Sequence, residues 1–164
     1  MYTIQKHLNY SHWATSKIAE LLQNADENIF DKEIVSSFPS IRKTIMHIWD
    51  AEVIWLNRLK GTAMLSWPSE GFNGTTKELL ERWAHDSHQL AQFVEGKDRA
   101  FLEMPIHYKN LKGLEFSTPA EEILFHVVNH GSFHRGQLIT MLRQAGITQL
   151  PSTDLIAYVR QFSL

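Results

Sequence analysis

Three histidines recur at every fourth position in His126-Val-Val-Asn-His130-Gly-Ser-Phe-His134-Arg-Gly-Gln137. A neutral imidazole offers a ring lone pair to a cation, which makes histidine the commonest side-chain metal ligand. Residues four apart on a helix stand one above the other, about 6 Å apart along the axis. Two imidazoles so placed can converge on one ion, with bonds of about 2.1 Å to iron, nickel or zinc. Three in a row do not converge easily, because His126 and His134 are separated by about 12 Å of rise and about 80° of turn. The apolar stripe of the segment is Ile123, Val127, His130, His134, Met141 and Ala145. It carries His130 and His134 towards the interior and leaves His126 to one side. A single interior histidine is usually a hydrogen-bonded core residue. Two on one apolar stripe each need a polar partner, and a shared cation supplies both.

The chain has 9 histidines, so a third ligand has several sources. His7 and His12 fall on the first helical stretch, His85 and His88 on a polar part of the third, and His107 in an irregular region. His47 is flanked by Met46, Ile48 and Trp49, and these neighbours imply burial. Position therefore favours His47. Gly131 and Gly136 fall inside the histidine helix, where each costs about 1 kcal/mol relative to Ala. Such a cost suggests a close approach to the backbone. Other metal motifs fail: there is no His-Glu-x-x-His, no Glu-x-x-His and no glycine-rich phosphate loop.

Four long helices must position these residues. The first spans roughly Thr3 to Gln23, with Ile4, Leu8, Ile18, Leu21 and Leu22 in helical rhythm. The second follows Phe38-Pro39, with Ser40 as N-cap, and runs to Lys60 before Gly61. Its stripe is Ile41, Ile45, Ile48, Glu52, Trp55 and Leu59, of which only Glu52 is polar. The third runs from Thr75-Thr76 to Gly96. Between Phe101 and Phe116 the pattern is short and partly alternating, with turn positions at Asn110 and Gly113, which reads as a small hairpin or an irregular excursion. Thr118-Pro119-Ala120-Glu121 reads as an N-cap, a first-turn proline and a capping-box glutamate, opening the fourth long helix to Ala145. Glu121-Glu122 is helix-start chemistry. A short helix from Asp154 to Phe162 packs as a tail. The long links permit crossover connections. The fold class is all-α, in a single domain over residues 1–164.

Composition narrows the function. Hydrophobic residues make up 43% and charged residues 21%, as in an ordinary globular domain. The net charge is −2, from 16 basic and 18 acidic residues, and no basic stripe is built for nucleic acid. With 0 cysteines, no thiolate can act as ligand or nucleophile. The N-terminus lacks the pattern of a secretory signal, and no apolar stretch approaches the ~20 residues that span a bilayer. The expectation is a cytoplasmic protein, with no nucleic-acid or membrane partner.

At these residues the sequence resembles the DinB family of DinB/YfiT-like metalloenzymes. Asn9-Tyr-Ser-His-Trp13-Ala14 is similar to the family's aromatic first-helix motif. His47-Ile-Trp-Asp-Ala-Glu52-Val-Ile-Trp55-Leu resembles its histidine helix, and the segment from His126 to Gln137 resembles its strongest signature. The resemblance implies a four-helix bundle in up-down-down-up order, usually a homodimer. It also implies one divalent metal ion on His47, His130 and His134, with zinc or nickel the first candidates and iron or manganese after them.

Three neutral imidazoles leave a coordination position open, the mark of a catalytic site. Relatives within the family include enzymes that use low-molecular-weight thiols. The first expectation is thus a metal-dependent thiol S-transferase acting on a small-molecule substrate. A second is a metal-assisted hydrolase with Glu52 as candidate base, although an ion pair of Glu52 with Arg135 or Arg58 is the plainer reading of that residue. A third is a stress-related binding protein without catalysis, its metal closed off by His12 or His126. Trp13, Trp49 and Trp55 read as core residues that can also line a pocket near the metal. Arg135 and Gln137 read as helix-surface residues, or as partners that orient a ligand imidazole.

Overall fold

A computed structural model describes residues 3–162. Its long helices are α1 (Ile4–Leu22), α2 (Ile41–Leu59), α3 (Thr76–Val94) and α5 (Ala120–Gln144). The shorter ones are α4 (Arg99–Glu103) and α6 (Leu155–Phe162), and the strands are β1 (Pro105–Lys109) and β2 (Glu115–Pro119). The long helices pack in a ring, α1 against α3, α3 against α2, α2 against α5, and α5 against α1. The link from α1 to α2 is thus a crossover as well, because those two helices are not ring neighbours.

The helix starts follow the capping rules. Thr3 Oγ1 accepts from Lys6 N–H, and Ser40 Oγ accepts from Lys43 N–H. Thr75 and Glu78 form a reciprocal capping box at α3. The start of α5 differs from the sequence expectation. Thr118 belongs to β2, its hydroxyl 3.3 Å from that of Tyr108, and Glu121 lies 3.3 Å from Arg99 Nη1 instead of capping. The cap residue is Pro119, which gives no side-chain bond. Ala120 N–H donates instead to Met104 O at 3.0 Å, so the backbone leaving α4 does the work of a cap.

The region between α3 and α5 is a hairpin preceded by α4, a helix too short to show a period in the sequence. β1 and β2 pair antiparallel with Tyr108 opposite Phe116, and those rings stack at 5.6 Å. Asn110 Oδ1 accepts from Lys112 and Leu114 N–H within the turn, and Gly113 holds a φ of 80°. The other links are tied down by side chains. Arg42 reaches Glu27 at 2.7 Å and Asp31 at 2.9 Å, and buried Asp50 accepts from both N–H and Oγ of Ser69.

The core is two hydrophobic clusters. One gathers Ile18, Leu22, Ile41, Ile45, Leu79, Trp83, Leu138 and Leu142. The other gathers Ile4, Leu8, Leu56, Leu59, Leu90, Val94, Ile123 and Val127. Helices α1 and α5 enter the second cluster with their N-terminal halves, whereas α2 and α3 enter it with their C-terminal halves. Between the clusters, each long helix contributes buried polar residues: Ser11 and Thr15 on α1, Glu52 on α2, Ser87 on α3, and His134 and Arg135 on α5. The bundle therefore has a polar waist.

Candidate metal centre

The waist opens to one side at the histidines. Helix α2 supplies His47 and α5 supplies His130 and His134, and one ring nitrogen from each lies within 4.8 Å of the others. The ring centroids are 4.5–4.8 Å apart. His47 Nε2 and His130 Nε2 approach to 2.9 Å. Two donors about 2.1 Å from one ion, at a right angle to each other, stand about 3.0 Å apart, so this spacing fits a shared cation.

The third donor is oriented by its neighbour one turn on. His134 Nδ1 lies 2.8 Å from Gln137 Oε1, and Gln137 Nε2 donates to Ser37 Oγ at 2.7 Å. The amide oxygen can only accept, so the Nδ1 carries the proton and Nε2 keeps its lone pair for a metal. Gln137→Leu is expected to weaken zinc or nickel binding about 10–100-fold with the fold intact. Competition against a chelating indicator measures this.

Burial and neighbouring charge keep His47 and His130 neutral. Burial, reinforced by the neighbouring His134, lowers His47 to about 4. Burial, then the surrounding histidines and Arg135, lowers His130 to about 3. Both imidazoles are therefore unprotonated at neutral pH, as ligation requires. Phe38 lies over the group, its ring 4.1 Å from that of His47 and 5.7 Å from that of His134. The loop carrying it is closed by Ile34 N–H donating to Pro39 O.

The remaining sequence candidates separate clearly. His126 stands beside the triad, its ring 5.9 Å from His130 and 5.4 Å from Trp55. His12 is stacked on His88 at 4.7 Å, and neither joins the donor group. His107 lies in β1. Trp49 donates to Asp86 at 2.7 Å and packs on Phe72, and Trp13 packs on Tyr10 and Tyr158. Only Trp55 of these three touches a histidine of α5.

Arg135 and Glu52 correct the sequence reading. Arg135 is not on the surface: it is 2% exposed and donates to Ser11 and Ser132, with Thr15 at 3.5 Å. Its guanidinium folds back on its own helix, where a Cβ at position 131 would meet Nη1 at 2.9 Å, so a side chain at Gly131 would displace the end of Arg135. A Cβ at Gly136 would meet nothing within 4 Å, and the packing there gives no reason for glycine. Glu52 makes no ion pair with Arg135 or Arg58 among the described residues. Its Oε1 accepts from Ser87 Oγ at 3.3 Å, its Oε2 has no partner, and burial, opposed by Arg135, pushes its carboxyl up to about 8. It takes no part in the donor group.

The sequence model of the DinB family matches residues 1–161. The chain belongs to the DinB family. It is 30% identical over 161 residues to Protein DinB of Bacillus subtilis (strain 168), covering 94% of this chain and 92% of that one. A DinB-like protein from Bacillus subtilis superposes with a TM-score of 0.65 at 18% identity, covering 92% of this chain and 97% of that one. A DinB-like protein from Bacillus cereus gives 0.68 at 18% identity, covering 88% and 91%. At that identity the two structures speak for the fold, which is helical in all three. In this DinB-family chain the histidines of α2 and α5, far apart in sequence, come together in a group that could hold a metal ion. No helix among the described residues is long and apolar enough to cross a membrane.

Proposed function

We propose that this DinB-family protein is a metal-dependent thiol S-transferase, with His47, His130 and His134 as the ligands of one divalent ion. The observation that carries the reading is the donor count. Three imidazoles converge, and no fourth histidine or carboxylate among the described residues comes within the same reach. A structural site would be closed by four protein ligands, whereas three leave room for a reactant. A divalent cation would supply Lewis acidity there, lowering the pKa of an incoming thiol and polarising an electrophile.

The chain's own groups do the rest. Gln137 holds the His134 ring in the tautomer that keeps Nε2 available. Phe38 covers the ring face of His47, meets His134 edge-on and limits the access of water. The sequence has 0 cysteines, so the nucleophilic sulfur arrives with a low-molecular-weight thiol.

The test is turnover of a model electrophile such as 1-chloro-2,4-dinitrobenzene or monochlorobimane with bacillithiol, mycothiol or glutathione. Protein reconstituted with zinc or nickel is compared with chelator-treated protein. A rate with at least one thiol that falls to background on chelation is the expected result. Absence of any metal-dependent rate with all three thiols overturns the transferase reading, and hydrolysis of an ester substrate without thiol would replace it with a hydrolase.

A further inference from the structure

A cavity lies outside the histidine group, between the C-terminal end of α2, the loop after it and the hairpin. Its volume is about 610 Å³, within the usual range of small-molecule sites of about 300–1,000 Å³. Ile54, Leu65, Leu111 and Phe116 give it apolar walls, and Arg58 and Tyr108 stand in them. None of the three triad histidines lines it.

Arg58 is the unusual element. Its guanidinium lies 4.4 Å from the Trp55 ring and 4.8 Å from the Tyr108 ring, and those rings meet edge to face at 5.1 Å. Cation–π contact of this kind fixes a guanidinium without using its hydrogen-bonding edge. Among the described residues its one hydrogen bond is a long one, Nη2–H to Lys109 O at 3.4 Å. No carboxylate among the described residues comes within 4 Å of it, whereas the neighbouring Lys109 is paired with Glu115 at 3.1 Å. A half-buried cation, held rigid and short of acceptors, faces a mainly apolar cleft whose one lining carboxylate, Glu115, is paired with Lys109. Desolvation by burial already lowers its pKa, so an anion arriving beside it relieves a standing cost.

We propose that this cleft binds a small organic anion with an apolar body, a carboxylate, sulfonate or phosphate on an aromatic or alkyl frame, with Arg58 as its anion anchor. The apolar walls take the body, and the free N–H edge of Arg58 takes the charged group in a forked pair of bonds. The site does not depend on the metal centre. Trp55 separates the two, with Arg58 on its ring and His126 against it.

The experiment uses the full-length protein, labelled with nitrogen-15 and held in a chelator. It is titrated with naphthalene-1-sulfonate and with the neutral 1-naphthalenemethanol, following amide signals and the Arg58 Nε–H. The sulfonate is expected to bind about 10–100-fold more tightly than the alcohol, the range for a charge-assisted bond, and to shift the Arg58 Nε–H where the alcohol does not. Arg58→Gln is expected to abolish that preference while weak binding of the alcohol persists. Equal affinities, an unmoved Arg58 signal, or a preference that survives Arg58→Gln overturns the proposal. So does sulfonate binding that appears only when metal is restored, since that places the anion on the ion. If the variant does not fold, the wild-type Arg58 signal decides alone.

Discussion

His130→Ala, exposed to zinc or nickel and then desalted, is expected to retain no bound metal, while wild-type protein retains one ion per chain. His130 shares the shortest approach in the triad, its Nε2 2.9 Å from that of His47, and its ring stands 4.5 Å from that of His134. Losing a residue that merely orients a ligand costs about 10–100-fold in affinity, so losing a ligand costs more than that. The fold is expected to survive, because the packing of α5 rests on Ile123, Leu124, Val127, Leu138, Met141 and Leu142, all at most 2% exposed. Elemental analysis reads the metal and far-UV circular dichroism reads the helices. His126→Ala serves as the matched control, since it stands outside the donor group and is expected to keep the ion. A His130→Ala protein with its full complement of metal would end the case for this centre.

The second large effect concerns stability and pH. Burial raises the Glu52 carboxyl from 4.5 to about 8, against the pull of Arg135 and the Ser87 hydrogen bond and with some help from Asp86. Below a pH of about 4.5 the carboxyl is protonated whether the chain is folded or unfolded, and it imposes no penalty. As pH rises towards 8, the unfolded chain ionises freely while the folded one holds the proton, so the native state loses ground. The loss attributable to Glu52 between pH 5 and pH 8 is roughly 3–4 kcal/mol. Glu52→Gln keeps the shape and an oxygen for Ser87 but cannot ionise. In urea unfolding, the variant is expected to gain on wild type by that amount across the interval. Parallel stability curves for the two proteins would show that Glu52 ionises in the fold as it does in water.

The histidines were readable because their signal is local. His130 and His134 share one turn and one stripe, and His47 sits among the apolar neighbours Met46, Ile48 and Trp49. Gln137 was half readable: it lies three residues from the ring it orients, but it read equally as a surface residue. Arg135 was not. A lone arginine reads as a surface residue, and the hydroxyls that make its burial tolerable, Ser11 and Thr15, are 124 and 120 residues away. Thr118 misled because Thr-Pro-Ala-Glu satisfies the rules for a helix start and those for a strand end equally well. Pairing of Pro105 with Pro119 settles that ambiguity, and it is a tertiary fact. Glu52 was visible as a polar interruption in a stripe, but its lack of an ion pair was not, because partner choice depends on how the helices rotate against each other.

The polar waist has a mechanical corollary. Its hydrophobic mass is divided into two blocks, and the ligands sit unequally between them: His47 stands among Ile45, Ile48 and Trp49 of the first block, whereas the second block joins α2 at Leu56 and Leu59. Substitutions at Trp83 or Leu142 and those at Leu8 or Val94 load opposite ends of the same four rods. The geometry at mid-height is set by the rods themselves, which run through both ends without interruption. Packing around Leu8 and Val94 is therefore freer to change without moving the three nitrogens than packing around Ile45 and Ile48.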